Sequence, residues 1–179
     1  MGSIARIWLP HLSGYDKGGE ILECPGWKVA YLVEVLPTTF KGLNSGGYSM
    51  SDKAICQKNK KHISPHVECD CGFYSFNNVS DAKHQLSMNR NLLLLYTENY
   101  GEIYLHSRGA KSQEQDVIEI YIPDLCSRYF CKNEAIGLSK FKKYWAASCN
   151  QHKSNDYYSH AQLKDILLVD VSKLSNLDN

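Results

Sequence analysis

The sequence predicts an α+β fold, an antiparallel β-sheet followed by C-terminal helices. Two observations carry this. Runs rich in Val, Ile, Tyr and Phe dominate the chain up to Pro123, and helix-like patterns follow it. At 179 residues and 20.3 kDa there is room for one domain. It is placed at 1–172, with the polar residues 173–179 expected to fray.

In chain order, Ile4–Leu9 reads as a short strand, and Gly14, Gly18 and Gly19 as a flexible stretch. Trp27–Leu36 is strand-like between Pro25-Gly26 and Pro37. Residues 38–50, with Gly42, Gly46 and Gly47, read as a loop. A cysteine and histidine block runs from Cys56 to Cys71, and Phe73–Phe76 is a strand. Ser80 is placed as the N-cap of a helix over Asp81–Met88. Asn91–Glu98 and Glu102–Ser107 read as a hairpin turning at Asn99-Tyr100-Gly101. Arg108–Asp116 reads as a polar loop and Val117–Ile122 as a strand. Ser139–Cys149 and Ala161–Val169 supply the helices.

Composition excludes several classes. Hydrophobic residues at 43% and charged residues at 22% are those of a globular chain. The longest apolar runs, Leu92–Tyr96 and Ile166–Val169, fall far short of the roughly 20 residues that cross a bilayer, so no membrane role is expected. Twenty Lys+Arg against nineteen Asp+Glu leave a net charge of +1. That is too little for a general coat on duplex DNA, where affinity comes from counterion release, though a local basic patch remains compatible with it. The start, MGSIARIWLP, has no export signal, so the chain is expected in the cytoplasm. There, seven cysteines read as metal ligands or reactive thiols rather than disulfides.

Residues 56–72 read C-QKNKK-H-IS-P-HVE-C-D-C-G. Cys56, His62, Cys69 and Cys71 form a candidate tetrahedral Zn2+ site, with His66 a competing histidine that spacing alone does not separate from His62. Three thiolates and one imidazole are a recurrent structural zinc set, and four protein ligands leave no position open for catalysis. The expectation is a loop pinned by structural zinc where apolar residues are few.

This run, C-x5-H-x2-P-x3-C-x-C-G, resembles a group of small bacterial proteins of similar length. The resemblance extends over residues 50–120, through Ala54-Ile55-Cys56, Phe73-Tyr74-Ser75, Tyr100-Gly101, His106 and Gly109. Lys111-Ser112 stand where the group has Arg-Ala. It implies His62 rather than His66 as the fourth ligand, and it implies no activity.

A second candidate metal set is Cys126, Cys131, Cys149 and His152, in C-x4-C-x17-C-x2-H spacing. Packing of these cysteines as small apolar residues is the alternative. Two lysine clusters stand out: Lys53, Lys58, Lys60 and Lys61 in the first loop, and Lys140, Lys142, Lys143 and Lys153 beside Tyr144 and Trp145. Basic residues among aromatics suit single-stranded nucleic acid, and a solvated face explains them too.

No nucleophile elbow, P-loop, zincin helix or dinucleotide fingerprint is present. Cys24 with His106 as its base is the candidate thiol–imidazole pair, and Tyr100, His106, Arg108 and Lys111 are the candidate ligand pocket on a 100–119 hairpin. The sequence reading is therefore a zinc-stabilised binding module, a small adaptor or regulator with a protein partner. Its alternatives are a nucleic-acid-binding module on the two lysine clusters and a small hydrolase or transferase using the 100–119 pocket. Oligomeric state is left open, no catalytic residue is assigned, and the balance is against an enzyme.

Overall fold

The computed structural model describes residues 6–8, 24–43 and 46–178. The glycine stretch at Gly14, Gly18 and Gly19 lies outside them, and of the Ile4–Leu9 strand only 6–8 are described. The fold is mostly antiparallel β-sheet, which overturns the α+β expectation. Its strands are β1 (Arg6–Trp8), β2 (Cys24–Glu34), β3 (Thr39–Gly42), β4 (Gly47–Tyr48), β5 (Ser51–Lys53), β6 (Phe73–Phe76), β7 (Leu93–His106), β8 (Gly109–Ile122), β9 (Gly137–Phe141), β10 (Tyr144–Ser148), β11 (Tyr157–Ser159) and β12 (Asp170–Lys173). The helices are α1 (Val79–Ser87) and α2 (His160–Leu167), and a 3-10 turn spans Leu174–Asp178.

The frame is the long hairpin of β7 and β8, turning at Ser107-Arg108 with His106 opposite Gly109. The reversal expected at Asn99-Tyr100-Gly101 is instead a bulge inside β7. Register slips between Tyr100 and Ile103, and Gly101 takes φ 74° where a Cβ would strike Gln113. Arg108–Asp116, expected as a loop, is the first half of β8. Its polar residues belong to a strand because many of them face one another inside the fold.

The pairings β7–β8, β8–β6, β6–β2 and β2–β7 run in a circle, so the sheet curls into a small ring. A polar network lines it. Asn99, fully buried, donates to the Cys24 carbonyl (2.7 Å) and to Ser75 Oγ (3.2 Å), and accepts from Ser112 Oγ (3.0 Å) and Gln115 Nε2 (2.9 Å). Every hydrogen-bonding position of its amide is thereby used, which is what burial of an amide demands. Gln115 in turn accepts from the buried Lys28 ammonium at 3.0 Å, which sits over the rings of Tyr48 (4.5 Å) and Phe73 (4.8 Å). Burial pulls the Lys28 amine down to about 7.

Two apolar layers flank the sheet. Leu93 and Leu95 face Leu32, Phe40, Ile120, Leu138, Trp145 and Leu163, while Leu92 and Leu94 face Ala82 and Leu86 of α1. Four consecutive buried leucines thus serve both faces by the strand's two-residue alternation. Helix α1 is capped by Asn78, whose side chain accepts from the Ser80 amide, rather than by Ser80. Helix α2 opens on a capping box of Ser159 and Gln162 and buries Leu163 and Leu167. Residues 38–50 are not all loop, since β3 and β4 pair there.

Ser139–Cys149, expected as a helix, forms the β9–β10 hairpin, with Phe141 opposite Tyr144 across a two-residue turn in which Lys142 takes φ 55°. The usual Asn-Gly or Gly signature of such turns is missing, and lysines and alanines imitate a helix. Of the tail expected to fray, residues 173–178 are structured: Lys173 ends β12, which runs parallel to β8, and Leu174 and Leu177 pack against the α1 layer.

Candidate metal centres

The first cluster lies in the loop joining β5 to β6. Both strands pair with one edge of β8, β5 at Glu114–Asp116 and β6 at Gly109–Ser112, so the loop's ends are tied to adjacent stretches of the same strand. The intervening segment has almost no apolar core: Ile55, Ile63 and Val67 are exposed. The ligand atoms of Cys56, His62, Cys69 and Cys71 nevertheless all lie within 4.8 Å of one another. Cys56 and Cys69 sulfurs are 3.7 Å apart, and His62 Nε2 is 3.3 Å from Cys71 Sγ. His66 is outside the cluster. Its ring stacks on His62 at 4.4 Å, and its Nδ1 accepts from the Glu68 amide.

Lys111 ties this loop to the sheet. Buried on β8, its ammonium donates to the carbonyls of His66 and Cys69, both at 2.8 Å, and lies over the rings of Tyr104 (5.3 Å) and Tyr74 (5.9 Å). Gly72 makes room for it. At φ 120°, a Cβ there would come within 2.7 Å of the Lys111 side chain.

The second cluster joins three elements. Cys126 and Cys131 lie in the link between β8 and β9, and Cys149 and His152 follow β10. These four ligand atoms also lie within 4.8 Å of one another. Cys131 and Cys149 sulfurs are 3.8 Å apart, and His152 Nδ1 is 3.4 Å from Cys149 and 3.5 Å from Cys126. A backbone bond from Ser127 N to the Ala147 carbonyl (2.8 Å) holds the link against the hairpin, and one from Cys126 N to the Asn133 carbonyl (3.0 Å) closes the link on itself.

All seven cysteines are free, and the sulfur separations are far from the roughly 2.05 Å of a disulfide. In each cluster one thiol is pushed toward ionisation and another away from it. Burial raises Cys56, but the Asn59 amide, the Cys69 thiol and the Lys58 amide outweigh it and bring its pKa below the ordinary thiol value. Burial likewise opposes ionisation of Cys149, yet the amides of Gln151 and His152 and the Asn133 side chain bring it down to about 6. At Cys69 the Cys71 amide favours the thiolate, but burial and the neighbouring thiols win and raise it. Burial raises Cys126. Thiols this close cannot all ionise unless a cation sits among them. Both clusters could hold a metal ion.

No protein-family model, curated protein or solved structure matches this chain.

The four residues expected to form a pocket at 100–119 are each placed differently. Tyr100 bonds to Glu98 and Arg108 to Asp81 (2.6 Å), His106 is exposed at the hairpin end, and Lys111 is spent on the loop carbonyls. Cys24 pairs with Asn99 on β7, seven residues from His106, or about 20 Å along a strand, so the two do not meet. In the first lysine cluster, Lys53 pairs with Glu114 (2.7 Å) and Lys58 with Asp70 (2.8 Å). The second lies on and after the β9–β10 hairpin, not on a helix. Sequence reasoning missed Lys111 as a clamp and Asn59 and Asn133 as sulfur donors, none of which has a local signature. Among the described residues no helix is long and apolar enough to cross a membrane.

Proposed function

We propose that this chain is a binding module built on two structural zinc centres, Cys56/His62/Cys69/Cys71 and Cys126/Cys131/Cys149/His152. One observation carries the reading, the spacing within both clusters. In a tetrahedral zinc site with sulfur about 2.3 Å and nitrogen about 2.0 Å from the ion, neighbouring sulfurs lie about 3.8 Å apart and a sulfur and a nitrogen about 3.5 Å. The sulfur pairs at 3.7 and 3.8 Å and the sulfur–nitrogen pairs at 3.3 to 3.5 Å match those edges. Thiolate-rich tetrahedral sets with a histidine favour zinc over the hard cations. Four protein ligands at each centre leave no open position for water or substrate, which supports structural rather than catalytic roles.

A zinc bound by three thiolates carries a net negative charge, and Lys111 and Lys58 stand beside the first site to balance it. The first loop offers a surface for a protein partner. Its metal-pinned backbone displays Ile55, Ile63 and Val67 to solvent at 81%, 70% and 60% exposure, a concentration of aliphatic side chains that a folded loop gains nothing by displaying alone.

Native mass spectrometry of freshly purified protein, set against its denatured mass, tests the reading. Two zinc ions are expected. A mass without metal overturns both centres. A single zinc retained in the Cys149→Ser variant and lost in Cys69→Ser restricts the reading to the first.

A further inference from the structure

The second centre borders a cleft of about 570 Å³, within the size range of small-ligand sites, lined by Asn91, Ser127, Arg128, Tyr129, Lys140 and Phe141 among others. Its surroundings are charged unlike the rest of the chain. Between Cys126 and Lys153 there are six Lys and Arg against one acid, Glu134, in a protein whose 20 cations and 19 acids nearly cancel over the whole chain. Glu134 is engaged by Lys173, and Lys140 by Glu34. Arg128, Lys132, Lys142, Lys143 and Lys153 have no acidic partner among the described residues.

Four of those five cations lie over aromatic rings. Arg128 is 4.0 Å above Phe141, Lys142 is 5.7 Å from the same ring, Lys143 is 5.2 Å from Tyr144 and Lys153 is 3.9 Å from Tyr157. Beside them, at the apex between Cys126 and Cys131, Tyr129 and Phe130 are 83% and 85% exposed, their rings 4.3 Å apart. Phe130 is held at φ 63°, a region unfavourable for a bulky residue. The two cysteines that bracket it belong to the second cluster, and Arg90 reaches the carbonyls of Arg128 and Cys131. The fold therefore keeps two large rings in water, in a strained backbone, in a segment where those five cations have no acidic partner among the described residues.

We propose that this face binds single-stranded nucleic acid, with phosphates along Arg128, Lys142, Lys143 and Lys153 and an unpaired base stacked on Tyr129 or Phe130. Stacking on exposed rings requires a base freed from pairing, which selects single strands over duplex, and cations over aromatics supply the backbone contacts. The proposal rests on the binding-module reading above, adds a second partner on a face separate from the first loop, and uses the second metal centre only as the brace for the Tyr129-Phe130 apex.

The test is fluorescence anisotropy of the full zinc-loaded chain with a labelled 12-nucleotide oligothymidylate, titrated at 50 to 300 mM salt. Three or four phosphate contacts give a log–log salt slope of about −2 to −3 for a single strand. Tyr129→Ala and Phe130→Ala alter exposed side chains, and at least one of them is expected to weaken binding about 5- to 100-fold with zinc content unchanged. Lys142→Glu with Lys143→Glu flattens the salt slope, whereas Lys60→Glu with Lys61→Glu, both exposed in the first loop, leaves it unchanged. Duplex of the same sequence binds at least tenfold more weakly.

Binding that ignores both aromatic substitutions and is matched by polyglutamate overturns the proposal in favour of a generic polyanion or an acidic protein. Loss of binding on altering the first loop overturns the location. Absence of binding by a chain carrying two zincs overturns this inference and leaves the zinc reading standing. A metal-free chain overturns the zinc reading, and the same titration still decides this one.

Discussion

Replacing Lys111 with methionine separates the anchoring of the first loop from the metal ligands themselves. The ammonium makes two hydrogen bonds of 2.8 Å, to the carbonyls of His66 and Cys69, from a position only 3% exposed. Hydrogen bonds from a charged donor are worth about 1.5–3 kcal/mol each, and the two abandoned carbonyls cost about 1–3 kcal/mol where water cannot reach them. Against this, methionine ends the expense of burying a cation and keeps most of the packing on Tyr74 and Tyr104. The balance is about 2–4 kcal/mol, lost from the first loop rather than from the whole fold. Because binding and loop ordering are linked, the affinity of that site for the proposed zinc is expected to fall by about 30- to 1000-fold. Competition with a chromophoric chelator reads this directly: one zinc is released early and the second at the wild-type chelator concentration. Simultaneous wild-type release of both ions from Lys111→Met would refute the clamp.

Three further outcomes follow from buried groups. Lys28 is pulled down to about 7 from an ordinary 10.5 by burial, so the unfolded chain binds the proton more tightly and stability rises with pH between those values. Below about pH 7 the full cost of burying the ammonium is present, on the order of 5 kcal/mol from the gap at 1.36 kcal/mol per pH unit. Lys28→Met should therefore gain stability over wild type at pH 6 and lose that advantage by pH 10. Urea melts of both proteins, at matched zinc loading, measure the difference, and a difference independent of pH would contradict the buried ammonium. Gly72→Ala meets both an unfavourable φ of 120° and a 2.7 Å approach to Lys111, so a loss of about 1–3 kcal/mol is expected, with earlier zinc release from the first site in the chelator titration. Ser159→Ala removes the α2 capping box and should lower the thermal midpoint by the equivalent of about 1 kcal/mol without altering zinc content. A zinc change there would show that α2 supports a centre.

Much of the chemistry was legible in the sequence because it is carried by residue identity over short distances. The first ligand set spans sixteen residues, 56–71, and any compact path through Pro65 and Gly72 leaves few other ways to group three thiols and an imidazole. Strands β2 and β6 were equally local, with β-branched and aromatic side chains between turn residues. Helix α2 overlaps the Ala161–Val169 stretch that reads as helical, while its Ser159 cap was not read from the sequence.

What failed was everything decided by partners distant in sequence. Arg108–Asp116 looks like a loop because its residues are polar, but Lys111, Ser112 and Gln115 find the His66 and Cys69 carbonyls, Asn99 and Lys28 across the ring, and polar side chains satisfied in this way can be buried in a strand. Ser139–Cys149 has the composition of a helix, yet pairing of β10 with β2 and β9 outweighs a propensity difference of a few tenths of a kcal/mol per residue. Residue identity and short spacing were enough to mark the candidate metal ligands and to locate the first cluster. Convergence of Cys126, Cys131, Cys149 and His152, the tie from Lys111 to the loop and the exposure of Tyr129 and Phe130 came from the folded sheet. Those outcomes depend on which surfaces the folded sheet brings together, and composition carries no record of that.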